Sequence, residues 1–470
     1  MNNQLHLFTI VFMVLLMSCN QSKNTQSMNT FTGAKGEVKL INLQPGHFHA
    51  ALVQKTALPQ INDTVYVYAS GGPELENYLG IIEGYNIRQE KPTKWTEIVY
   101  EGDDFFEKMI DEKNGNVVVI SGNNRDKTEY IHGCVNAGLH VLADKPMAIN
   151  TNDFQLLSKA FELAQQNDVL LYDIMTERFE ITTMLQKEMS LIPSVFGELI
   201  DGTEEEPAVT KESVHHFFKY VSGKEIVRPG WFFDVEQQGE GIVDVTTHLV
   251  DLIQWECFPE ITLDYQNDVE ITSAYRWPTV LNQEQFARVT RLDAYPDYIR
   301  NYIINDSLIG VYANGEINYT LKGKHAKVVV KWNYEAPAGT KDTHFSIMRG
   351  TKARLVIRQG EAENYEPLLY IEPEEGLEAD VANGLATDFN VLQEKYPGIS
   401  LEETNTGWKL NVPDRYKVGH EAHFGQVTEK FLGFLIDGQL PEWEIPNMIT
   451  KYYTTTKALE LAVDLNPEKK

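Results

Sequence analysis

Short β-rich runs alternate with helical segments from Val38 onward, and this alternation limits the possible folds more than any other feature. The strand candidates are Val38–Leu43, Val65–Ala69, Ile98–Tyr100, Val117–Ser121, His140–Leu142 and Val169–Asp173. The helical segments between them include Ala50–Thr56, Asp104–Glu112, Asp126–Ala137 and Asn152–Gln166. Strands joined through helices form parallel sheets. The pattern therefore predicts an α/β domain with a doubly wound parallel sheet, whose ligand crevice lies beyond the carboxyl ends of the strands.

The pattern changes after about Arg178. A helix near Val243–Trp255 is followed by candidate strands at Val269–Tyr275, Ser307–Tyr312, Gly315–Leu321, Ala326–Trp332 and Ala353–Arg358. Their alternation predicts an α+β domain with a large, mostly antiparallel open sheet. We expect Glu361–Val412 to be an insertion with marginal structure, and Phe424–Ile436 and Tyr452–Val463 to be helical. A chain of 470 residues is also longer than one hydrophobic core usually supports, so we expect two domains.

The amino-terminal segment is predicted to be an export signal with a lipid anchor. Its apolar run, Leu7–Met17, is too short to span a bilayer. The following Cys19 ends a stretch, Leu-Met-Ser-Cys, that resembles a bacterial lipobox, and a polar stretch comes next. The expected division is a signal peptide at 1–18, a lipidated tether at 19–36, a first domain at 37–175 and a second at 176–470. The protein is then exported, and it touches the membrane only through its anchor, facing the periplasm or the cell surface.

Charge and cysteine content exclude several classes. A net charge of -27 would repel a phosphate backbone, so we expect no nucleic-acid partner. Besides Cys19, only Cys134 and Cys257 remain, far apart and within apolar helical patterns. They support neither a disulfide framework nor a cysteine-based zinc site.

Several polar motifs recur where strands or turns end. They are Ser121-Gly122-Asn123-Asn124, Asp144-Lys145-Pro146, Arg178-Phe179, Arg228-Pro229-Gly230-Trp231, and a glycine-rich turn followed by Asp244, His248 and Asp251. In order and spacing these motifs resemble the Gfo/Idh/MocA oxidoreductase family. That family has Thr-Pro-Asn and Glu-Lys-Pro after two strands and a later Asp-x3-His-x2-Asp run. The resemblance implies a Rossmann-like first domain that binds NAD or NADP, and a sugar or glycoside as small-molecule substrate.

The resemblance also implies roles for the catalytic residues. Lys145 would hydrogen-bond the reacting hydroxyl, and it stands where a parallel strand ends, next to a proline that stiffens the backbone. His248 would act as acid and base, for which its ordinary pKa near neutrality is suitable. Asp244 and Asp251 fall on the same face of the predicted helix as His248. We therefore expect Asp244 to orient His248 and Asp251 to lie behind the pair.

The remaining assignments concern ligand binding. The substrate-binding residues are predicted to be Arg178, Trp231 and Asp251. The cofactor-binding residues are predicted to be Gly46, His47, Phe48, Ser121, Asn123, Asn124 and Lys145. The first turn departs from the family, because Gly-x-Gly-x-x-Gly is replaced by Gln-Pro-Gly-His-Phe-His and only the middle glycine is kept. Nicotinamide binding is therefore implied by the family and not by this fingerprint.

Histidine pairs raise the question of a metal. His47 and His49 are spaced like zinc ligands, but no third ligand lies near them in sequence, so we predict no metal site. His420 and His423 are one residue too close for a zincin helix and are expected to cap or line the second domain.

Three functions remain open on these grounds. The first is oxidation of a ring hydroxyl of a sugar or glycoside, with a cofactor retained because free dinucleotide is not expected outside the cytoplasm. The second is redox-neutral glycoside cleavage by oxidation, elimination and re-reduction on one bound cofactor. The third is a carbohydrate-binding lipoprotein on a degenerate scaffold, against which the catalytic trio speaks. The oligomeric state is not determined, and a homo-oligomer is allowed.

Overall fold

Residues 31–464 are described by the computed structural model, apart from 222–223, 306 and 338–339. The predicted signal peptide, Cys19 and most of the predicted tether lie outside the described residues. Among the helices that are described, none combines the length and hydropathy needed to cross a bilayer.

Six parallel strands form the first sheet, in the order β3-β2-β1-β4-β5-β6. They are β1 (Leu40–Leu43), β2 (Thr64–Ala69), β3 (Thr96–Glu101), β4 (Val117–Ile120), β5 (His140–Asp144) and β6 (Leu171–Ile174). Every residue of β1, β4, β5 and β6 is buried, because neighbouring elements cover both faces. The predicted doubly wound sheet is confirmed. Strands are added toward one edge of the sheet from β1 to β3 and toward the other edge from β4 to β6.

Five helices connect these strands: α1 (His49–Leu52), α2 (Pro73–Ile87), α3 (Phe105–Glu112), α4 (Lys127–Asn136) and α5 (Thr151–Gln166). The first is only one turn long, shorter than the predicted Ala50–Thr56. The carbonyl oxygens just beyond it accept hydrogen bonds from side chains distant in sequence. Trp95 Nε1 donates to Gln54 O at 2.7 Å, and Arg88 donates to Lys55 O at 2.6 Å. These contacts replace the helical bonds that would have extended α1.

A ten-stranded sheet dominates the rest of the chain, in the order β10-β12-β13-β7-β14-β15-β16-β18-β17, with β11 beside β12. Its strands are β7 (Val209–Phe218), β10 (Val269–Asn282), β11 (Ile303–Ile304), β12 (Leu308–Leu321), β13 (Lys324–Glu335), β14 (Thr343–Arg349), β15 (Ala353–Gln359), β16 (Leu368–Pro373), β17 (Ser400–Thr404) and β18 (Gly407–Asn411). A separate pair consists of β8 (Tyr220–Val221) and β9 (Lys224–Glu225). All neighbours in the large sheet are antiparallel except β7 and β13, so the predicted sheet type is confirmed.

The remaining helices are α6 (Ile181–Ser190), α7 (Val235–Gln238), α8 (Thr246–Cys257), α9 (Gln283–Thr290), α10 (Glu378–Lys395), α11 (His420–Asp437) and α12 (Glu444–Asp464). The expectation of marginal structure over Glu361–Val412 is wrong. This segment supplies β16, α10, β17 and β18, and its apolar residues Ile371, Val381 and Phe389 are buried in the core of the large sheet. The many polar residues that suggested a loop occupy the outer face of an amphipathic helix.

The last two helices return to the first sheet. Phe424, Phe431 and Leu435 of α11 are buried in the same cluster as the parallel strands, and the Phe431 ring stacks on Tyr172 of β6 at 6.2 Å. The carboxyl-terminal end of the chain thus completes the core of the amino-terminal sheet. The described residues belong to one compact unit, and the boundary at 175/176 stays a prediction.

Candidate active site

Lys145 and Asp244 form the centre of the site. Lys145 Nζ lies 2.6 Å from Asp244 Oδ1, and Gln238 Nε2 donates to Asp244 Oδ2 at 3.0 Å. Both carboxylate oxygens are therefore used, and the side chains are 13% and 7% exposed. The prediction that Asp244 orients His248 is corrected by these contacts. Helix α8 begins only at Thr246, so Asp244 lies in the preceding turn and holds Lys145 instead.

His248 carries no hydrogen bond on its buried Nδ1 within the described residues. Burial and the charge of Lys145 lower the pKa of His248 to about 3, with Glu177 acting in the opposite direction. The imidazole is therefore neutral at ordinary pH, which is the form that can accept a proton.

A cavity with several titratable side chains in its lining, which we call the His248 cavity, opens beside this ring. It has a volume of about 160 Å³, and its lining includes Glu177, Glu180, His215 and His344. A larger cavity of about 460 Å³ shares Glu177 and Glu180 with it and is lined also by residues of the β18–α11 segment. We call this the outer cavity.

The outer cavity places a second group of titratable side chains near His248. His420 and His423 both line it, as expected for residues that line the second domain. His420 Nδ1 lies 3.6 Å from Glu177 Oε1. Burial raises the pKa of Glu177, but the neighbouring histidines outweigh this effect and hold its pKa below the ordinary value. Glu177 is therefore a carboxylate at ordinary pH.

A third cavity, the cofactor cavity, lies at the carboxyl ends of β1 and β2. It has a volume of about 560 Å³, within the roughly 300–1,000 Å³ usual for small-molecule sites. Gly46, His47 and Phe48 line one side, as predicted, and Glu74 and Asn77 of α2 lie near them. The opposite wall includes Arg228, Trp231 and Arg291.

These residues fit a dinucleotide. A Cβ atom on Gly122 would come within 2.6 Å of Gln44 O and 2.9 Å of Gly46 N, so the loops after β1 and β4 can approach this closely only because residue 122 is glycine. Arg228 and Arg291 supply positive charge to the lining, but the Arg228 guanidinium donates to the carbonyl oxygens of Phe217 and His216, and the Arg291 guanidinium pairs with Glu225. Glu74 places a carboxylate beyond β2, where a ribose hydroxyl is bound in this fold. Helix α1 does not fit a dinucleotide in the usual way, because a helix of four residues has little dipole to attract the pyrophosphate.

Asn123 and Asn124 turn away from the cofactor cavity. Asn123 Nδ2 donates to Gln237 Oε1, and Asn124 Nδ2 donates to Gln238 O, both at 2.7 Å. These bonds tie the loop after β4 to α7 and so position Gln238 against Asp244. Their predicted role as cofactor contacts is replaced by this positioning role, because both amide groups are already bonded within the protein.

Arg178 and Asp251 line neither the His248 cavity nor the cofactor cavity. Arg178 donates to both oxygens of Asp251 at 2.7 Å and to Glu444 at 3.0 Å, and Lys451 Nζ donates to Asp251 at 2.7 Å. Arg178 and Asp251 are 4% and 1% exposed. The prediction that they contact the substrate is therefore wrong. They belong instead to a buried ion-pair network in which Arg178 joins α8 to α12. Trp231 lines the cofactor cavity instead of the His248 cavity.

The loop after β1 brings two histidines against the end of β5. His49 Nδ1 lies 2.9 Å from Asp144 Oδ2, and His47 Nδ1 lies 3.9 Å from the same oxygen. Ser121 Oγ donates to this oxygen at 2.9 Å, and Ser121, predicted to contact the cofactor, is buried and does not line the cofactor cavity. Burial lowers the pKa of both histidines, although the charge of Asp144 opposes the effect.

Some functional neighbours were missed in the sequence. Lys127 is 1% exposed and donates to the Asp144 carbonyl oxygen at 3.0 Å. At the start of a helix it has the pattern of a surface lysine, so nothing in the sequence indicated its burial. Gln238 and Glu177 were missed for a similar reason. By contrast, Arg228 belongs to the Arg-Pro-Gly-Trp motif but was not predicted as a site residue. It lines the cofactor cavity, and its place in the motif could have indicated this.

Buried neutral histidines predict a loss of stability in acid. Burial lowers the pKa of His140 to about 4, and its Nδ1 accepts a hydrogen bond from the Leu170 N–H at 2.9 Å. The unfolded chain takes up this proton near pH ~6.5, so the stabilisation is complete above that pH and is lost as pH falls toward 4. Between about pH 7.5 and about pH 5, His140→Asn should lose about 2 kcal/mol less stability than the wild type in urea unfolding. Equal losses would contradict the assignment.

Two family models match the chain. One, described as "Oxidoreductase family, NAD-binding Rossmann fold", matches residues 63–172. The other, described as "Putative oxidoreductase C terminal domain", matches residues 185–463, which is more than half of the chain. A search of curated proteins gave no match.

Solved structures share this architecture. One described as "a putative oxidoreductase from Parabacteroides merdae ATCC 43184" is 55% identical, with a TM-score of 0.91, and the alignment covers 93% of this chain and 100% of that one. Levoglucosan dehydrogenase in complex with NADH and levoglucosan is 12% identical, with a TM-score of 0.57 and coverage of 91% and 97%. KijD10, a 3-ketoreductase from Actinomadura kijaniata in complex with NADP and TDP-benzene, is 11% identical, with a TM-score of 0.52 and coverage of 88% and 94%. The last two are similar in fold alone.

The matches agree with the site in one respect that matters for chemistry. The second model covers the helix that carries His248, and the nucleotide-binding model covers β2, whose end borders the cofactor cavity, although its match begins after β1. The chain belongs to the Gfo/Idh/MocA family, and it is an NAD(P)-dependent oxidoreductase.

Proposed function

We propose that the chain oxidises a ring hydroxyl of a sugar or glycoside and keeps its nicotinamide cofactor bound between turnovers. The observation that carries the proposal is His248, which is neutral, has no hydrogen bond on Nδ1 among the described residues, and stands near the Lys145–Asp244 pair at the wall of the His248 cavity. The cavity offers carboxylates and imidazoles, which are suitable partners for the many hydroxyl groups of a sugar. Levoglucosan dehydrogenase, which has the same fold, is described in complex with levoglucosan.

Lys145 would stabilise the charge that develops on the substrate oxygen. Its ammonium group is held by Asp244, whose second oxygen is fixed by Gln238, so the cation has little freedom to reorient. A positioned cation stabilises a developing alkoxide most strongly in a site from which water is excluded. When bound, the nicotinamide ring accepts the hydride from the carbon that carries this oxygen.

His248 would take the hydroxyl proton. Its neutral imidazole is ready to accept, and its buried Nδ1 has no competing partner among the described residues. The low pKa makes it a weak base in the free protein. Proton transfer therefore depends on Lys145 making the hydroxyl more acidic, which couples the two residues in one step.

Cofactor retention is proposed from the shape of the loop after β1. Phe48 is 37% exposed, and its ring contacts both His47 and His49, with centroids 4.5 and 4.4 Å apart. The His47 and Phe48 rings border the cofactor cavity, where an ordinary dinucleotide turn has small residues. Rings that close over a bound dinucleotide slow its departure.

Nucleotide content tests this proposal. Protein purified without added nucleotide should release close to one NAD or NADP per chain when it is denatured, identified by mass spectrometry. Removing the Phe48 ring in Phe48→Gly should lower the recovered amount by about tenfold, because dissociation during purification becomes faster. Val227→Ala, which shortens another exposed side chain at the same cavity, is the matched control. An empty wild-type protein would refute retention.

A second candidate function is redox-neutral glycoside cleavage. The pair of Glu177 and His420, beside His248 in connected cavities, provides a second site of proton transfer. After oxidation, the new ketone acidifies the neighbouring C–H, a base removes that proton, the glycosidic C–O bond breaks and the leaving oxygen takes up a proton; water then adds to the unsaturated ketone that remains. The hydride then returns to the product, so no reduced cofactor accumulates. Release of the aglycone without net reduction would separate this function from simple oxidation.

Localisation is proposed from the lipobox. Cys19→Ala should move the protein from the membrane fraction to the soluble periplasmic fraction, because the acyl chains that anchor it are no longer attached. Ser18→Gly, which keeps a small residue before the cysteine, is the control and should stay with the membranes. If Cys19→Ala also sediments with the membranes, the anchor lies elsewhere.

A further inference from the structure

Three potential metal ligands meet at the carboxyl ends of β1 and β5. His47, His49 and Asp144 each offer one ligand atom, and these atoms all lie within 4.8 Å of one another. His49 and Asp144 are 95 residues apart in sequence, which is why the sequence indicated no third ligand for the histidine pair. The strand ends of the parallel sheet bring them together.

The distances suit a tetrahedral ion. Ligand atoms ~2.0–2.1 Å from zinc are about 3.4 Å apart in tetrahedral geometry. The two histidine nitrogens lie 2.9 and 3.9 Å from Asp144 Oδ2, on either side of that value. Shifts of about half an ångström would bring each histidine to the required distance from Asp144, and the third separation, between the two histidine ligand atoms, is also within 4.8 Å. Two histidines and a carboxylate are also a known zinc ligand set, one that leaves a fourth position open.

The open position would face the cofactor cavity. His47 is one of the residues that line this cavity, together with Gly46 and Phe48. In a Rossmann turn the pyrophosphate lies against the amino terminus of the first helix, whose dipole and N–H groups attract it. Here that helix is one turn long, so the usual anion site is largely lost.

We propose that His47, His49 and Asp144 bind one divalent ion of the zinc type, and that this ion holds a pyrophosphate oxygen of the dinucleotide. The ion replaces the attraction that the shortened α1 does not supply. The cations Lys127 and Lys145 near Asp144 oppose binding of the ion alone, while the pyrophosphate charge offsets this repulsion. Metal and dinucleotide should therefore bind with positive cooperativity.

Metal content and titration test the site. The full-length protein as purified should contain close to one zinc per chain by elemental mass spectrometry. After chelation, calorimetric titration with zinc should show one site, whose affinity falls at least about tenfold in His49→Gln and in Asp144→Asn. His132→Gln, a histidine of α4 outside the cluster, should bind zinc like the wild type. Circular dichroism checks that the variants are folded.

Nucleotide release tests the role of the ion. A chelator should speed release of the bound nucleotide from the wild type by about tenfold and have no effect on His49→Gln. A wild-type protein that binds no zinc, or variants that bind it as tightly as the wild type, would overturn the site. Zinc binding with unchanged nucleotide release would overturn its role as an anchor. None of these readouts requires a sugar substrate, so they can be told apart from a failure of the proposed function.

Discussion

Lys145→Met should lower turnover by about 10²–10⁴-fold while the protein remains folded. Its nucleotide content should stay unchanged, because Lys145, although predicted to contact the cofactor, does not line the cofactor cavity. Methionine keeps most of the length of the side chain but removes the ammonium group that lies 2.6 Å from Asp244. The developing alkoxide then loses its nearest cation. Steady-state kinetics, together with nucleotide recovery after denaturation, measures both parts of the expectation.

The control for this variant is Lys159→Met, an exposed lysine of α5, which should keep wild-type turnover. Asp244→Asn should also reduce turnover, because it loosens the hold on Lys145. The double variant should lose little more than Lys145→Met alone, since residues that act through one group are not additive. Additive losses would show that Asp244 acts separately, as the sequence had suggested through His248.

Arg178→Met should destabilise the fold by about 3–5 kcal/mol, because it leaves two buried carboxylates without their main partner. Arg178 binds Asp251 with two hydrogen bonds and Glu444 with two more, and all three side chains are at most 4% exposed. Urea unfolding measures the loss. It should be largest at neutral pH, where both carboxylates are charged.

Arg288→Met provides the comparison for this prediction. Arg288 pairs with Glu335 at 3.0 Å, but each side chain is 38% exposed, so breaking the pair should cost at most about 1 kcal/mol. A stable Arg178→Met protein with a greatly raised KM for its substrate would contradict the structural role. It would restore the substrate contact that the motif had indicated.

Local patterns were enough to predict much of the fold. Each strand of the first sheet is a short β-rich run between turns, and a parallel sheet buried on both faces tolerates few other compositions. Motif spacing selected Lys145, Asp244 and His248, and their catalytic roles stay predictions. The length of α1 was not predicted correctly, because its end depends on hydrogen bonds from Trp95 and Arg88, which come later in the chain.

The contacts between the motifs could not be predicted from sequence. Asp251 lies three residues after His248, and helical spacing placed the two together, yet Asp251 bonds to Arg178 and Lys451 on other helices and loops. Asp144 was treated only as a variant of the family's glutamate, although its side chain meets His49 and Ser121. Pairings of this kind are decided by tertiary packing, which leaves no periodic signal in the chain.

The most direct test of the account is rapid mixing of the protein, as purified and without added nucleotide, with a panel of glycosides. For a true substrate, we expect the absorbance of reduced nicotinamide to appear within a single turnover, with up to one equivalent per chain, and a ketosugar to be trapped on quenching. The signal should be about 10²–10⁴-fold slower in His248→Ala. If the nucleotide is present but no sugar or glycoside reduces it, or if His248→Ala reacts at the wild-type rate, the proposed sugar oxidation is contradicted.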